Sequence, residues 1–323
     1  MKKVLGIGNA LVDIIADVNE NFWDYKKYPK GSMNLVDQKF SEELRNKLQN
    51  KKMVSGGSAG NTICALSELS IPTSFIGKIG NDEMGKFFQK DMKKRNIDIK
   101  LITDIELGTG ICCSLITPDK ERTMFTYLGA ASNLKSHELK KEFFKNNDYF
   151  YIEGYLLQDW ELIKTAVSIA KNNNLTVCLD FASYNIVEEN IIFLEELIDS
   201  YIDILFANED EMKMFLSKSK YNIEYLKNKL NIIIEKKGKN GVKVISTNFD
   251  ETVETYPANV IDTTGAGDAF AAGFLYGLIK DQNLTNCAKL GNLLGSTAVE
   301  YYGAKIPEEK WEKVKEKIDK ILE

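Results

Sequence analysis

Asp148-Tyr-Phe-Tyr-Ile-Glu153, Leu175-Thr-Val-Cys-Leu-Asp-Phe181 and Asp203-Ile-Leu-Phe-Ala207 are short, mostly apolar runs, separated by the longer stretches Trp160–Asn172 and Val187–Ser200. Runs of this length and composition suit strands buried on both faces, whereas the longer stretches carry a helical period. Strand alternating with helix is the pattern of a parallel sheet with crossover helices. Toward the amino end the same rhythm predicts strands at Lys3–Asn9 and Thr73–Lys78 and helices at Gly60–Leu69 and Glu83–Arg95. After Asn231 come further strands, helices at Ala266–Lys280 and Thr285–Tyr301, and an amphipathic tail with Trp311, Val314, Ile318 and Ile321 on one face. Ligands of such sheets bind beyond the carboxyl ends of the strands.

Two regions, Leu11–Val36 and Gly110–Leu128, lack a helical period. Ile111–Thr117 and Arg122–Tyr127, with Pro118-Asp-Lys at the bend, read as a hairpin. The fold expected is α/β: a mostly parallel central sheet with helices on both faces, in a single domain over residues 1–323. A small β-lid is expected from roughly residues 11–38 and 108–128.

The 323 residues are 44% hydrophobic and 28% charged, so the chain can bury a core and wholesale disorder is excluded. Lys and Arg number 42 against 47 Asp and Glu, a net charge of −5, which argues against a general nucleic-acid binder. No stretch has the apolar length of a membrane span or a secretory signal, so a soluble cytoplasmic protein that binds neither nucleic acid nor membrane is expected. The five cysteines (64, 112, 113, 178 and 287) form no CxxC and read as core thiols. His137, the only histidine, lies in a polar run that reads as an exposed first helical turn, and multi-histidine metal sites are excluded.

Three motif near-matches fail. Gly80-Asn-Asp-Glu-Met-Gly-Lys-Phe87 resembles a P-loop, but Phe87 has no hydroxyl and Asp82 and Glu83 would face the phosphates. Gly6-Ile-Gly8 starts a dinucleotide fingerprint that breaks at Leu11. Asp180-Phe-Ala182 is not a protein-kinase DFG, and no HRD loop precedes it.

The most informative string is Asp262-Thr-Thr-Gly265-Ala266-Gly267-Asp268-Ala-Phe-Ala-Ala-Gly273. A glycine-rich turn feeding a helix leaves backbone amides free to bind an anion. Asp268 in that first turn could serve the helix dipole alone, but a carboxylate beside an anion site needs a separate task, and proton abstraction is one. Gly56-Gly57-Ser58-Ala59-Gly60-Asn61 is a second glycine turn, suited to sugar hydroxyls or simply to a tight strand–helix junction. Asn9 and Asp13 add an amide and a carboxylate past the first strand. Asn208 and Glu211 share a helix face where Mg²⁺ waters or phosphates could be held, or form a plain cap. Lys236-Lys-Gly238-Lys-Asn-Gly241 is a glycine turn between strands.

Together these strings resemble the PfkB/ribokinase family of sugar and nucleoside kinases, adenosine kinases above all, over essentially the whole chain from Val4 onward. Both family signatures occur in order, at Gly56–Asn61 and Asp262–Asp268, with Asn208-x-x-Glu211 between them. The resemblance implies a ribokinase-like fold, ATP and Mg²⁺ as cofactors, and Asp268 as catalytic base, with the Gly265, Ala266 and Gly267 amides as anion hole. It assigns Asn208 and Glu211 to Mg²⁺ through water, and Arg122 to the phosphates. Asn9, Asp13, Gly56, Gly57, Ser58 and Asn61 match substrate positions, and Asn208, Lys236, Gly238, Gly241 and Asn292 match ATP positions. Many members also bind K⁺ near the anion hole, and Asp262, Thr264, Ala298 and Gly303 sit at comparable positions.

Asn9-Ala-Leu-Val-Asp13 follows the adenosine-kinase pattern. Glu153 departs from the apolar residue of mammalian adenosine kinases; a carboxylate there would suit a sugar hydroxyl and keeps ribokinase- or fructokinase-like substrates open. The activity expected is ATP-dependent phosphorylation of a ribofuranosyl primary hydroxyl, adenosine to AMP. The alternatives are a free-sugar kinase on the same scaffold and a non-catalytic nucleotide or sugar sensor. Relatives occur as monomers and as lid-paired homodimers, and both states remain open.

Overall fold

The computed structural model describes residues 2–323; Met1, the first residue of the expected domain, lies outside the described residues. The chain begins β1 (Val4–Ile7), β2 (Leu11–Asp17), β3 (Met33–Leu35), α1 (Gln38–Lys47), β4 (Lys52–Gly56), α2 (Ser58–Glu68), β5 (Thr73–Gly80), α3 (Glu83–Lys94) and β6 (Asp98–Asp104). The hairpin β7 (Gly110–Ile116) and β8 (Arg122–Tyr127) precedes β9 (Tyr149–Glu153), α4 (Trp160–Asn172), β10 (Thr176–Asp180), α5 (Tyr184–Glu189) and α6 (Ile191–Ser200). There follow β11 (Ile204–Asn208), α7 (Glu209–Lys218), α8 (Ile223–Lys229), β12 (Ile232–Lys236), β13 (Val242–Ser246) and β14 (Phe249–Val253). Three helices close the chain: α9 (Ala266–Ile279), α10 (Leu284–Ala298) and α11 (Trp311–Leu322).

A nine-stranded sheet runs β14-β13-β12-β11-β10-β9-β1-β5-β6. Its members are parallel from β12 to β6, while β13 and β14 pair antiparallel. Period-two alternation divides the core between its two faces. Tyr151, Cys178, Phe206 and Ile234 pack with α2, α3, α9, α10 and α11. Phe150, Val177, Leu205 and Ile233 face α4 to α8. Continued by two residues, that alternation turns Glu153, Asp180, Asn208 and Lys236 toward α2 and α9, at the carboxyl edge of the sheet. The five cysteines are free and buried, as expected.

A second sheet, β3-β8-β7-β2-β4, contains the expected hairpin, with Cys112 opposite Thr126. It also contains β4, which lies outside the predicted segments. Helix α1 follows β3 and is capped by Asp37, whose side chain accepts from Phe40 N.

The single helix expected at Val187–Ser200 is two. Buried Asn190 interrupts it, donating from its side chain to Ile186 O at 2.8 Å and accepting from Trp160 Nε1 at 2.7 Å. A side-chain amide that competes for backbone partners in this way ends one helix and starts the next. His137 is exposed, in a 3-10 turn (Ser136–Glu138) rather than an α-helix. Asp82 accepts from Gly85 N and Thr109 N, so the P-loop look-alike is a helix cap. Among the described residues, no helix is long and apolar enough to cross a membrane.

Helices α9 and α10 meet through glycine. A Cβ on Gly273 would lie 2.4 Å from Leu290 O, and one on Gly291 2.7 Å from the Phe270 ring. Gly273→Val should therefore force the helices apart and destabilise the chain by at least about 2 kcal/mol, read as a lower midpoint in denaturant titration. An unchanged midpoint would show that the helix contact yields freely.

Candidate active site

Gly265 adopts φ +69°, and a Cβ there would fall 2.4 Å from Ala304 O. Only glycine meets both demands. The turn it makes opens α9 and leaves the amides of Gly265, Gly267 and Asp268 without a protein acceptor among the described residues, whereas Ala266 N donates to Thr263 O at 3.3 Å. The open donors are thus those of Gly265, Gly267 and Asp268. The Ala266 amide expected among them is engaged within the turn.

Asp268 receives two side-chain donors from the mouth of α2, Ser58 Oγ on Oδ1 at 2.7 Å and Asn61 Nδ2 on Oδ2 at 2.9 Å. Burial pushes its carboxyl up to about 6, against those two hydrogen bonds. Thr62, also on α2, donates to Asp268 O at 3.2 Å. Ser58 and Asn61 therefore hold the carboxylate in this structure. Asn61 Oδ1 is buried without a partner.

The turn before α2 is shaped by what crosses it. Gly57 has φ +88°, and a Cβ on it would lie 2.0 Å from Asn9 O. A Cβ on Gly56 would meet the Asp13 carboxylate at 2.2 Å, so Asp13 lies directly over that glycine. Burial raises Asp13 to about 6, with Lys305 and Arg122 opposing and Asp268 adding to the rise.

Glu153 does not open toward a ligand. It is 1% exposed, and its Oε1 accepts from Asn9 N at 2.9 Å and Asn9 Nδ2 at 2.7 Å, while Oε2 accepts from Ala59 N at 2.8 Å. The carboxylate ties the end of β1 to the first turn of α2 beneath the site. The expected contact with a sugar hydroxyl gives way to this brace, because the group is buried and held by three protein donors. Burial raises Glu153 to about 7.

Asn208 and Glu211 form a reciprocal capping box. Glu211 accepts from Asn208 N at 2.7 Å and Nδ2 at 2.8 Å, and Asn208 Oδ1 accepts from Glu211 N at 2.9 Å. Glu211 is 2% exposed and raised to about 7, by burial first, with Lys236 opposing and Asp180 adding. Lys236 Nζ donates to Asp180 Oδ2 at 2.8 Å. Burial works against its charge, yet Asp180 and Glu211 outweigh it and hold the ammonium above the ordinary lysine value.

Asp262 is buried. Its Oδ1 accepts from Thr264 N and Thr264 Oγ1, and its Oδ2 from Gly303 N at 2.9 Å. Arg122, reaching from β8, brings Nη1 only to 3.6 Å of Oδ1, and that nitrogen is buried without a hydrogen bond. Val299 O, next to Ala298, accepts from Ile261 N and Asp262 N, so the four residues expected around K⁺ lie on facing segments.

Gly238 and Gly241 shape the β12–β13 turn, where a Cβ on Gly238 would meet nothing within 4 Å. Asn292 is 4% exposed and donates to Val253 O at 3.1 Å and Glu254 O at 2.9 Å. Its amide nitrogen thus braces the segment after β14, and contact with an adenine through that atom would require those bonds to break.

The sequence profile described as "pfkB family carbohydrate kinase" matches residues 30–311. The chain belongs to this family. It is therefore an ATP-dependent kinase with an alcohol acceptor, on a ribokinase-like fold. Adenosine kinase 2 of Arabidopsis thaliana is 27% identical over 94% of this chain and 96% of the relative. Ribokinase of Staphylococcus aureus is 28% identical over 79% of this chain and 84% of its own length. Among solved structures, adenosine kinase from Sinorhizobium meliloti superposes with TM-score 0.85 at 29% identity, covering 98% of this chain and 99% of that one. A probable sugar kinase from Rhizobium etli gives TM-score 0.86 at 28% identity, over 98% of both chains.

Asp180 and Lys305 were not singled out as site residues by the sequence. Lys305 lies between helices α10 and α11, donates to Ser55 Oγ at 2.7 Å and lowers Asp13. A lysine in a loop has no spacing signal of its own. In the sequence Asp180 stands out only as the start of a failed motif.

The raised carboxyls carry a stability signature. Glu153 and Glu211 keep a proton to about pH 7 in the folded chain, against 4.5 unfolded, and Asp13 and Asp268 to about 6, against 3.8. Folding takes up protons between those limits, so these groups make stability fall as pH rises through them. The depressed carboxyls, such as Asp104 and Asp119, act below that window and in the opposite sense. Glu153→Gln turns an amide N–H₂ toward backbone donors and should destabilise by about 1–3 kcal/mol. Between about pH 4.5 and 7 its stability should fall less steeply than that of wild type in denaturant titrations. Parallel profiles would exclude Glu153 as one of the titrating groups.

Proposed function

We propose that this kinase transfers the γ-phosphoryl group of ATP to the primary hydroxyl of a ribofuranosyl substrate, converting adenosine to AMP. One observation carries the reading. Asp268 is held by two donors at the mouth of a helix whose neighbouring amides are open. A fixed base beside an anion cradle is what in-line phosphoryl transfer requires.

In this reading Asn9 and Asp13 bind the ribose, with Ser58 and Asn61 beside them. Asp268 takes the hydroxyl proton as the oxygen attacks the γ-phosphorus, and the bond from that phosphorus to the β-phosphate oxygen breaks. The Gly265 and Gly267 amides stabilise the charge on the transferring group. Arg122, with a buried unpartnered nitrogen, is available to the phosphates. The sheet β3-β8-β7-β2-β4 serves as the lid of a single-domain enzyme and limits hydrolysis by excluding water. The Gly238–Gly241 turn covers the nucleotide, with Asn292 behind it.

The closed capping box fits Mg²⁺ held through water rather than directly by Glu211. Bound with ATP, the ion neutralises phosphate charge. The long Arg122–Asp262 pair leaves the buried Asp262 incompletely matched, which fits K⁺ beside Thr264, Ala298 and Gly303. The reaction belongs to cytoplasmic purine salvage, in a monomer or homodimer.

Adenosine is favoured by the coverage of the adenosine-kinase relatives and by the closure of Glu153, the residue that pointed to a free sugar. A free-sugar kinase is the second reading, supported by the likeness to the Rhizobium etli probable sugar kinase. ADP release from ATP should be fastest with adenosine in a panel with inosine, ribose, fructose and 2-keto-3-deoxygluconate. A clear preference for a free sugar would reverse the order.

Asp268→Asn should keep nucleotide binding and lose at least ~100-fold in kcat. With its carboxyl near 6, wild-type kcat/KM should climb as pH rises through about 6, because the base acts deprotonated. Near-normal turnover of the variant would remove Asp268 from the mechanism.

A further inference from the structure

Asp180 has no part in the roles above, although it faces the same space. It ends β10 on the α2/α9 side, beside Phe206 in register, and Lys236 ends β12 beside Asn208. The lysine stem crosses β11 to reach the carboxylate, and the two side chains are 16% and 5% exposed. Asp180 is itself fixed: Oδ1 accepts from Ala182 N at 3.0 Å, in a turn where Ala182 has φ +64°, and Oδ2 accepts from Tyr151 Oη at 3.4 Å.

The plain alternative is an ion pair that ties two strands together. Buried pairs contribute little net stability over apolar replacements, so that reading explains the pair weakly. It also does not explain where the ammonium ends up. A Cβ on Gly267 would lie 3.2 Å from Lys236 Nζ, so the cation rests against the residue whose amide is open. With one N–H given to Asp180, two donors remain for another partner.

We infer that Asp180 is a positioning residue that holds the Lys236 ammonium against the Gly267 turn, so that a cation and a backbone N–H meet the oxygens of the transferring phosphoryl group together. The inference rests on the phosphoryl-transfer reading and extends it, since that reading uses Lys236 only as an ATP contact and Asp180 not at all. Lys236 stays protonated throughout and transfers no proton; the hydroxyl proton goes to Asp268. A fixed cation needs no reorganisation as charge moves onto the phosphoryl oxygens. Other ionisable groups facing the pair are Glu211 on α7, Asp268 on α9, Glu153 and Tyr151 on β9, and Tyr155 after it, whose Oη donates to Ala182 O at 3.4 Å.

The test uses the full chain with adenosine and ATP, comparing Lys236→Met, Lys236→Arg, Asp180→Asn and the Asp180→Asn/Lys236→Met double variant. Lys236→Met should lose about 100-fold in kcat, with ADP affinity changed by less than about fivefold. Lys236→Arg should recover at least about a tenth of wild-type kcat. Asp180→Asn should lose at least about tenfold, and the double variant should be no slower than Lys236→Met alone, since both remove one unit.

Losses that multiply in the double variant, or a folded Lys236→Met enzyme with normal kcat, would each overturn the inference. Should Asp180→Asn fail to fold, equal loss in Lys236→Arg and Lys236→Met would overturn it, and recovery by arginine would uphold it. A wild type inactive on every panel substrate would instead defeat the functional reading. The contact then stands or falls on β,γ-imido-ATP. Lys236→Met should lose affinity for that analogue and not for ADP, and an equal response to both would overturn it.

Discussion

Two helix mouths face each other in this molecule, and one carboxylate joins them. Asp268, in the first turn of α9, accepts from Ser58 and Asn61 in the first turn of α2. Each helix is brought there by a glycine turn that cannot carry a side chain, because the neighbouring chain segment lies where a Cβ would be. Had either turn held a bulkier residue, the helices would retreat, the carboxylate would lose its donors, and the open amides of α9 would no longer sit beside it. The glycines thus serve geometry first, and the anion cradle follows from the geometry.

Most of the fold could be read from the chain because the central strands are buried on both faces and therefore spell themselves out as apolar runs. The helices packed on them have matching periodicity, and α4 is observed at Trp160–Asn172, as expected. What escaped has a physical reason in each case. Strand β4, Lys-Met-Val-Ser-Gly, is an edge strand with too little apolar content to stand out. The break at Asn190 depends on a partner, Trp160, thirty residues away.

The site was legible where function demands a local backbone shape, as at Gly265, Gly267 and Asp268, and illegible where it depends on partners brought together by the sheet. Glu153 illustrates the second case. From the sequence it is a carboxylate at the end of a strand, equally suited to a ligand or to a brace. Only the convergence of Asn9 N, Asn9 Nδ2 and Ala59 N on its oxygens decides for the brace. Asn292 is similar, since its amide is spent on two carbonyls that sequence spacing does not bring near.

The electrostatic design follows from the same packing. Asp13, Asp180, Glu211 and Asp268 lie near the charges of Lys236, Arg122 and Lys305, and the raised carboxyls of Asp13, Glu211 and Asp268 owe the rise first to burial. A site built for a polyanion would ordinarily be more positive. Acidic residues are tolerable here because three of them have partners of their own, a clamp for Asp268, a capping box for Glu211 and an ammonium for Asp180, while the charges of Lys305 and Arg122 oppose the rise at Asp13. Their negative charge is spent locally, while the open amides of α9 and the ammonium at Gly267 remain directed at the space where a phosphoryl group would pass. A basic helix mouth in a chain of net charge −5 is therefore no contradiction, since what an anion meets at that mouth is set by the few donors left unpaired and not by the sum over the surface.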